Sequence, residues 1–253
     1  MKVTTQNDIN ILSVNTSLKN FEKLYLEVRK AENRIYHDDE VKRLPYASVA
    51  NPHYAEWNLR AISFQRVLKF LKSKTNYLKI LDLGCGNGWF SSRLAALSNL
   101  EVYGLDVNYY ELNQAVNIFH QPNLKFYYGD IFEDIFTCEI FDIIFLNSAI
   151  QYFGDLKALI IRLDDFQNNK GEIHILDSPL YTDESIYQAK KRSLSYYQSI
   201  GYSDMANHYF HHSYNELQNF KFEVLFNPNK VTSALKKLIR IKDSPFPWIR
   251  IMR

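Results

Sequence analysis

With 253 residues, 46% hydrophobic and 23% charged, the chain has enough apolar material for a sizeable core, which excludes global disorder. A formal net charge of +2 excludes a general electrostatic pull toward nucleic acid or anionic membrane. Cys85 and Cys138, the only cysteines, are too few for a secreted disulfide scaffold and stand in no metal-ligand spacing, so no metal is expected.

The opening MKVTTQNDIN has no apolar signal core, and no run is long enough to span a bilayer. A reduced, cytoplasmic setting without membrane contact is therefore the expectation. The first 50 residues read as polar and irregular, with one helix over SLKNFEKLYLEVRKAENRIY. Pro45, Asn51 and Pro52 mark LPYASVANPHY as a loop. Trp57, Ala61, Phe64, Leu68 and Leu71 recur at three- and four-residue spacing and predict an amphipathic helix over residues 55–72.

From residue 78 strands alternate with helices. Residues 78–83 form a strand with both faces apolar, and 89–98 a helix. Residues 101–105 are a second strand. Asn108 and Glu111 are spaced as a capping box for a helix through residue 119. KFYYGD and FDIIFLNSA are the third and fourth strands. Leu156, Leu159, Leu163 and Phe166 mark a helix that NNKG is expected to end. GEIHILDSP is the fifth strand. This pace implies crossover connections and an α/β, doubly wound, mostly parallel sheet.

After Pro179 the alternation pauses. Residues 182–200 read as helical, and Tyr181, Tyr187, Tyr196 and Tyr197 make this stretch rich in tyrosine. Ser213 and Glu216 repeat the S-x-x-E cap. KFEVLFNP reads as a strand, SALKKLIRI as a short helix and PWIRIMR as the last strand. From Lys230 to the end, seven Lys and Arg face one Asp; a solvated face is the simple account, a phosphate- or acid-binding patch the other.

Ligands of a parallel sheet bind beyond the carboxyl ends of its strands. Gly84, Gly86 and Gly88 lie there, after the first strand. Their spacing is G-x-G-x-G, with Trp89 where a dinucleotide fingerprint has its third glycine, and no G-K-[ST] follows. Asp82 would repel a phosphate and suits a cationic amine. The next strands end in Asp106–Val107, Asp130–Ile131 and Asn147. Asp106 could accept both hydroxyls of a ribose. Asp130 could accept from an exocyclic amine, with Ile131 packed on the base.

The segment 82–88, with Asp106, Asp130 and FDIIFLNSAIQYF, resembles the class I S-adenosylmethionine-dependent methyltransferases over roughly residues 75–180. The resemblance implies a seven-stranded sheet with a C-terminal antiparallel strand, so that KFEVLF and PWIRIMR close the fold as a hairpin. It implies that Gly84, Cys85 and Gly86 hold the methionine part through their backbone, with Asp82 near the amine. Asp106 would take the ribose, Val107 and Ile131 the faces of the adenine, and Asp130 its exocyclic nitrogen. Asn147 would lie beneath the sulfonium. S-Adenosylhomocysteine would be the product.

The cofactor brings an activated methyl, so a general base is optional. The candidates are Tyr152, His174, Asp177, Tyr181, His211 and His212. NSAI stands where nucleobase amine methyltransferases carry an Asn/Asp-Pro-Pro-aromatic motif. Cys138 is misplaced for a cytosine-C5 nucleophile, and no glutamate pair of the protein-arginine type is evident. The expected acceptor is a small molecule methylated at oxygen or nitrogen. Residues 1–74 are read as a helical cap and lead-in helix, and 75–253 as the catalytic domain, with a lid insertion at about 180–212. The lid could also serve as a homodimer surface. Two alternatives stay open: a non-catalytic S-adenosylmethionine-binding or interaction protein, and an NAD-dependent oxidoreductase. Trp89 and the missing Tyr-x-x-x-Lys pair weigh against the second.

Overall fold

The structure is a computed structural model and describes residues 4–13, 18–136, 140–229 and 242–253. An N-terminal hairpin, β1 (Thr4–Gln6) and β2 (Ile9–Ile11), precedes helices α1 (Leu18–Ala31), α2 (Asp38–Val41) and α3 (Tyr54–Lys72). The alternating part follows: β3 (Leu78–Leu83), α4 (Trp89–Ala95), β4 (Leu100–Asp106), α5 (Tyr109–Ile118) and β5 (Leu124–Tyr128). It continues through β6 (Phe141–Asn147), α6 (Leu156–Asp164) and β7 (Gln167–Leu176). Next come β8 (Leu180–Tyr181), α7 (Asp183–Ser199) and β9 (His212–Ser213), then β10 (Lys221–Phe226) and β11 (Trp248–Met252).

The main sheet has nine strands in the order β1-β2-β5-β4-β3-β6-β7-β11-β10. Strands β2, β5, β4, β3, β6 and β7 pair in parallel, and β11 runs antiparallel to both β7 and β10. In the sheet order, β5 to β10 make the doubly wound, seven-stranded arrangement that the family resemblance implies, closed by the implied hairpin. The chain leaves β3 toward β4 and β5, then returns to the other side of β3 as β6. That reversal opens a crevice at the carboxyl ends of β3 and β6.

Period-two alternation distributes the core over both faces of the sheet. Leu81, Leu83, Leu105 and Ile144 pack with α6 on one face. Ile80, Val102, Ile143 and Phe145 pack on the other with Phe64 and Leu71 of α3 and Phe90 of α4. Among the described residues no helix is long and apolar enough to cross a membrane.

Three expectations are corrected. The N-terminal hairpin is not foreseen in the polar first 50 residues. Asn7 and Asp8, at φ 49° and 63°, make its turn, a conformation these residue types tolerate. The hairpin then docks on β5, with the Leu12 N–H donating to the Tyr128 carbonyl at 2.9 Å. Second, α1 stops at Ala31 rather than running through the segment to Tyr36. Third, NNKG does not end α6, which closes at Asp164; it lies inside β7. There Asn168 holds the Asp142 carboxylate, and the pairing of β6 with β7 shifts between Phe141 and Ile143. Cys138 and the SALKKLIRI segment lie outside the described residues.

Trp89 in the third-glycine position is explained by its neighbour. Gly88, at φ 75°, caps α4, and a Cβ there would sit 2.6 Å from Phe126 and 2.8 Å from Ala115. Gly88 thus provides the close helix–strand approach, while Trp89 turns to the opposite side, edge-on to Trp57 at 5.6 Å. Gly88→Ala combines a left-handed backbone with core overpacking and is expected to cost about 3 kcal/mol in denaturant unfolding. Unchanged stability would contradict this packing account.

Candidate active site

The turn from β3 to α4 is closed by acceptors on β4. The N–H groups of Gly84 and Cys85 donate to the Leu105 carbonyl at 2.8 and 3.2 Å. Gly86 N–H donates to Asp106 Oδ2 at 2.7 Å, and Asn108 N–H to Oδ1 at 2.8 Å. Asp82, 1% exposed, accepts from the Ser91 hydroxyl at 2.5 Å, in the first turn of α4. The N–H groups of Gly84, Cys85 and Gly86 are thus taken, and a carboxyl group occupies the mouth of the helix. Phosphate sites need the opposite arrangement, with open N–H groups and no acid. Positive φ at Gly86 (52°) bares the backbone toward the crevice.

Burial raises the Asp82 carboxyl to about 7, with the Asp106 charge adding and Ser91 opposing. Burial also raises Asp106, against the N–H bonds it accepts. The N–H groups of Gly86, Asn108 and Val107 all act on this carboxylate, which does not itself line the cavity above the turn. The Cys85 thiol is pushed well up by burial.

A cavity of about 670 Å³ opens above this turn. Of the expected cofactor residues, Asp82, Gly84, Cys85, Gly86 and Asn147 line it. Asn147 Oδ1 is buried without a partner, an acceptor awaiting a ligand. Asp106 stands behind Gly86. Val107, Asp130 and Ile131 do not line the cavity. Asp130 accepts from the Phe132 N–H at 3.0 Å and its own N–H donates to Ser13 at 3.0 Å; Ile131, 2% exposed, belongs to the core with Leu12.

Glu111 is missed by the sequence reading as a site residue. The Asn108–Glu111 capping box is only half formed: Glu111 N–H donates to Asn108 Oδ1 at 3.1 Å, but Asn108 N–H belongs to Asp106. The Glu111 carboxyl lines the cavity instead, 3.1 Å from where a Gly86 Cβ would stand. Burial raises it to about 7, Asp106 adds, and Arg29 opposes.

The cavity's cover was legible as helices but not as chemistry. Arg29 bonds Glu32 at 2.7 Å and also the Tyr152 hydroxyl, Arg34 bonds Glu56 at 2.6 Å, and Arg60 bonds Glu56 at 2.9 Å and Ser148 at 3.1 Å. Tyr196 of α7 donates to Glu32 at 2.7 Å. This chain of charges joins α1, α3 and α7 to the carboxyl end of β6. Burial opposes the charge of Glu56, but Arg60 and Arg34 outweigh it and hold it down to about 2.

Of the candidate bases, Tyr152, Asp177 and Tyr181 line the cavity. Asp177 accepts from Ser63 at 2.6 Å and Ser244 at 3.3 Å. His211 stands behind Ser193, its Nε2 2.9 Å from that hydroxyl. His174 is fully buried between Glu172 and the Trp248 indole N–H. His212 is bonded to the Ile150 carbonyl and Glu216, inside the capping box that Ser213 and Glu216 do complete.

A methyltransferase-domain family model matches residues 74–229, more than half of the chain. The chain belongs to the class I S-adenosylmethionine-dependent methyltransferases. It is similar to the trans-aconitate 2-methyltransferase of Deinococcus radiodurans, 35% identical over 99 residues, covering 39% of this chain and 37% of that protein. It is also similar to a malonyl-[acyl-carrier protein] O-methyltransferase of Bacillus cytotoxicus, 28% identical over 126 residues, covering 48% and 43%. The chain thus spans about two-fifths of the length of these curated relatives. Among solved structures, the plantazolicin methyltransferase BpumL with a pentazolic desmethylPZN analog and SAH superposes with a TM-score of 0.54 at 16% identity, covering 95% of this chain and 99% of that one. The YcgJ protein of Bacillus subtilis gives 0.53 at 14%, covering 76% and 97%. At such identities the likeness is one of fold.

Asp82 and Glu111 both carry folded-state pKa values of about 7, above the ordinary carboxylate range. Their contribution to stability is present below the unfolded pKa and is lost as pH rises through about 7. Glu111→Gln removes one of these groups and is expected to flatten the fall in unfolding free energy between about pH 4.5 and pH 7. A slope equal to that of the parent protein would contradict the burial of Glu111.

Proposed function

We propose that this chain transfers a methyl group from S-adenosylmethionine to an oxygen or nitrogen nucleophile of a small-molecule acceptor held under the lid. The observation that carries the reading is the occupied glycine turn: its N–H groups are bonded to Leu105 and Asp106, and Asp82 faces the helix mouth. A dinucleotide would bring a pyrophosphate to that point, against a carboxyl group and with the Gly84, Cys85 and Gly86 donors already bonded. A cationic ligand is what such a turn favours, which argues against the NAD-dependent alternative.

When bound, S-adenosylmethionine supplies a methyl group already activated on a sulfonium. The protein's part is to bind, align and exclude water. In this reading Asp82 and the bared backbone of Gly84, Cys85 and Gly86 hold the amino-acid end, and Glu111 adds negative charge beside it. Asp106 takes the ribose hydroxyls. Val107, Asp130 and Ile131 keep the adenine role that the family resemblance implies, although they stand outside the cavity. The unpartnered Asn147 oxygen faces the sulfonium side. Tyr152, Asp177 and Tyr181 are the groups within the cavity able to receive a proton from an acceptor that must lose one. The Arg29–Tyr152 and Arg60–Ser148 bonds join α1 and α3 to the sheet edge, and the Tyr196–Glu32 bond joins α7 to them.

Titration calorimetry tests this reading. S-Adenosylmethionine and S-adenosylhomocysteine are expected to bind, and NAD is not. Asp106→Ala is expected to weaken both sulfur ligands by roughly 10- to 100-fold, the loss of charged hydrogen bonds. Binding of NAD, or of neither sulfur ligand by a folded protein, would overturn the reading.

A further inference from the structure

Asp177 stands between two cavities. It lines the large one and also a second, of about 10 Å³, together with Ser63, Arg66, Phe246 and Trp248. It follows β7 directly and holds a left-handed backbone at φ 45°, as Ser148 does after the neighbouring β6 at φ 59°. Such a conformation persists only where the surroundings fix it. The hydroxyls of Ser63 and Ser244 do so, both donating to Asp177 Oδ1, at 2.6 and 3.3 Å. Among the described residues no hydrogen bond engages Oδ2, and the residue is 8% exposed. Arg66, on the small cavity, bonds Asp243 through Nη2, while its Nη1 is buried without a partner. A cavity of this size has about the volume of one water, and Arg66, Ser63 and Asp177 are the polar partners a water needs. The Arg66 side chain is 23% exposed, so this side of Asp177 reaches solvent.

The other groups of the cover are occupied or weak as bases. The Tyr152 hydroxyl is bonded by Arg29, Glu56 is held by Arg34 and Arg60, and Glu32 by Arg29 and Tyr196. Burial raises Tyr181, so its phenol stays neutral. We infer that Asp177 is the general base of the transfer, that the reacting atom of the acceptor is a hydroxyl oxygen, and that its proton leaves by the small cavity. This rests on the methyltransferase reading above. The acceptor oxygen forms its bond to the methyl carbon as the methyl–sulfur bond breaks, and the electron pair of that bond stays on the sulfur. The hydroxyl proton passes to Asp177 Oδ2 and from there to water beside Arg66. A hydroxyl is a poor nucleophile until it gives up its proton, so a positioned base decides its rate. An ionised carboxylate needs no base and would be repelled by Asp177. An ammonium must lose its proton before it can attack, and it would meet Arg60, the foremost charge acting on Asp177. Burial raises the Asp177 carboxyl, against Arg60, the two serines and Arg66, which makes it a better base than an exposed carboxylate.

The test uses the full chain, and binding of S-adenosylmethionine and S-adenosylhomocysteine is measured first. If neither binds, the methyltransferase reading falls and this inference with it, which separates the two failures. Asp177→Asn keeps an oxygen for Ser63 and Ser244 and tolerates the left-handed backbone, so it is expected to fold and to bind S-adenosylhomocysteine as the parent does. In the parent saturated with S-adenosylhomocysteine, the Asp177 carboxyl carbon is identified by NMR as the resonance lost in Asp177→Asn. It is expected to titrate above the ordinary carboxylate range, and higher still in Arg66→Gln. With S-adenosylmethionine present, 4-ethylphenol, benzyl alcohol, benzylamine and benzoate are then offered in turn, and formation of S-adenosylhomocysteine is followed. One of the two hydroxyl compounds is expected to turn over faster than the amine and the acid, and Asp177→Asn to lower its kcat by about 100-fold. A carboxyl that titrates in the ordinary range, a preference for benzylamine or benzoate, no turnover of either hydroxyl compound, or a kcat that survives in Asp177→Asn would each overturn the inference.

Discussion

Everything at the site hangs on one carboxylate. Asp106, at the end of β4, accepts the N–H of Gly86 and the N–H of Asn108, and so ties the turn after β3 to the start of α5. The Leu105 carbonyl beside it takes the two preceding N–H groups. A turn bonded in this way cannot act as an anion nest. It offers acids and bared backbone instead, and that local choice of partners, more than the glycines themselves, decides the chemistry of the ligand. The same bonds displace Glu111 from its capping role and leave its carboxyl to the cavity.

The cavity is divided by charge. On the floor, Asp82 and Glu111 lack cationic partners in hydrogen-bond contact, and burial lifts both to about 7. On the cover, Glu56 meets two arginines and falls to about 2. The same residue type is thus held in opposite states by the presence or absence of a guanidinium. A donor with a sulfonium and an ammonium matches the floor. The cover keeps Arg29, Arg34 and Arg60 paired with carboxylates. Among the described residues no histidine lines the cavity: His174 and His212 are held by Trp248, Glu172, Ile150 and Glu216, where they tie strands and loops together.

The alternating region was legible in the sequence because burial on both sheet faces makes strands into apolar runs bounded by turn residues. Residues 78–83 are read at their observed limits, and FDIIFLNSA is read with its observed start but two residues past its observed end at Asn147. The strand-end acids follow from the same pattern. The N-terminal hairpin was not legible: its strands are three residues long, and their burial comes from β5, far away in sequence. NNKG carries turn residues yet lies in a strand because Asn168 is held by Asp142 across the sheet. The arginines of α1 and α3 look like surface charges on amphipathic helices. Only tertiary packing brings them over the glycine turn, and no local spacing encodes that. Glu111 was misread for the same reason, since a capping box is a local signal and Asp106 is a competitor from the preceding strand.

The measurement that bears most directly on this account is a crystal structure of the chain with S-adenosylhomocysteine bound. The account predicts the amino-acid end against Asp82 and the turn of Gly84 and Gly86, the ribose hydroxyls on Asp106, and the sulfur beside Asn147 under the Arg29–Tyr152 contact. A ligand whose ribose leaves Asp106 unengaged, or whose amine points away from Asp82 toward the arginines of the cover, would contradict it.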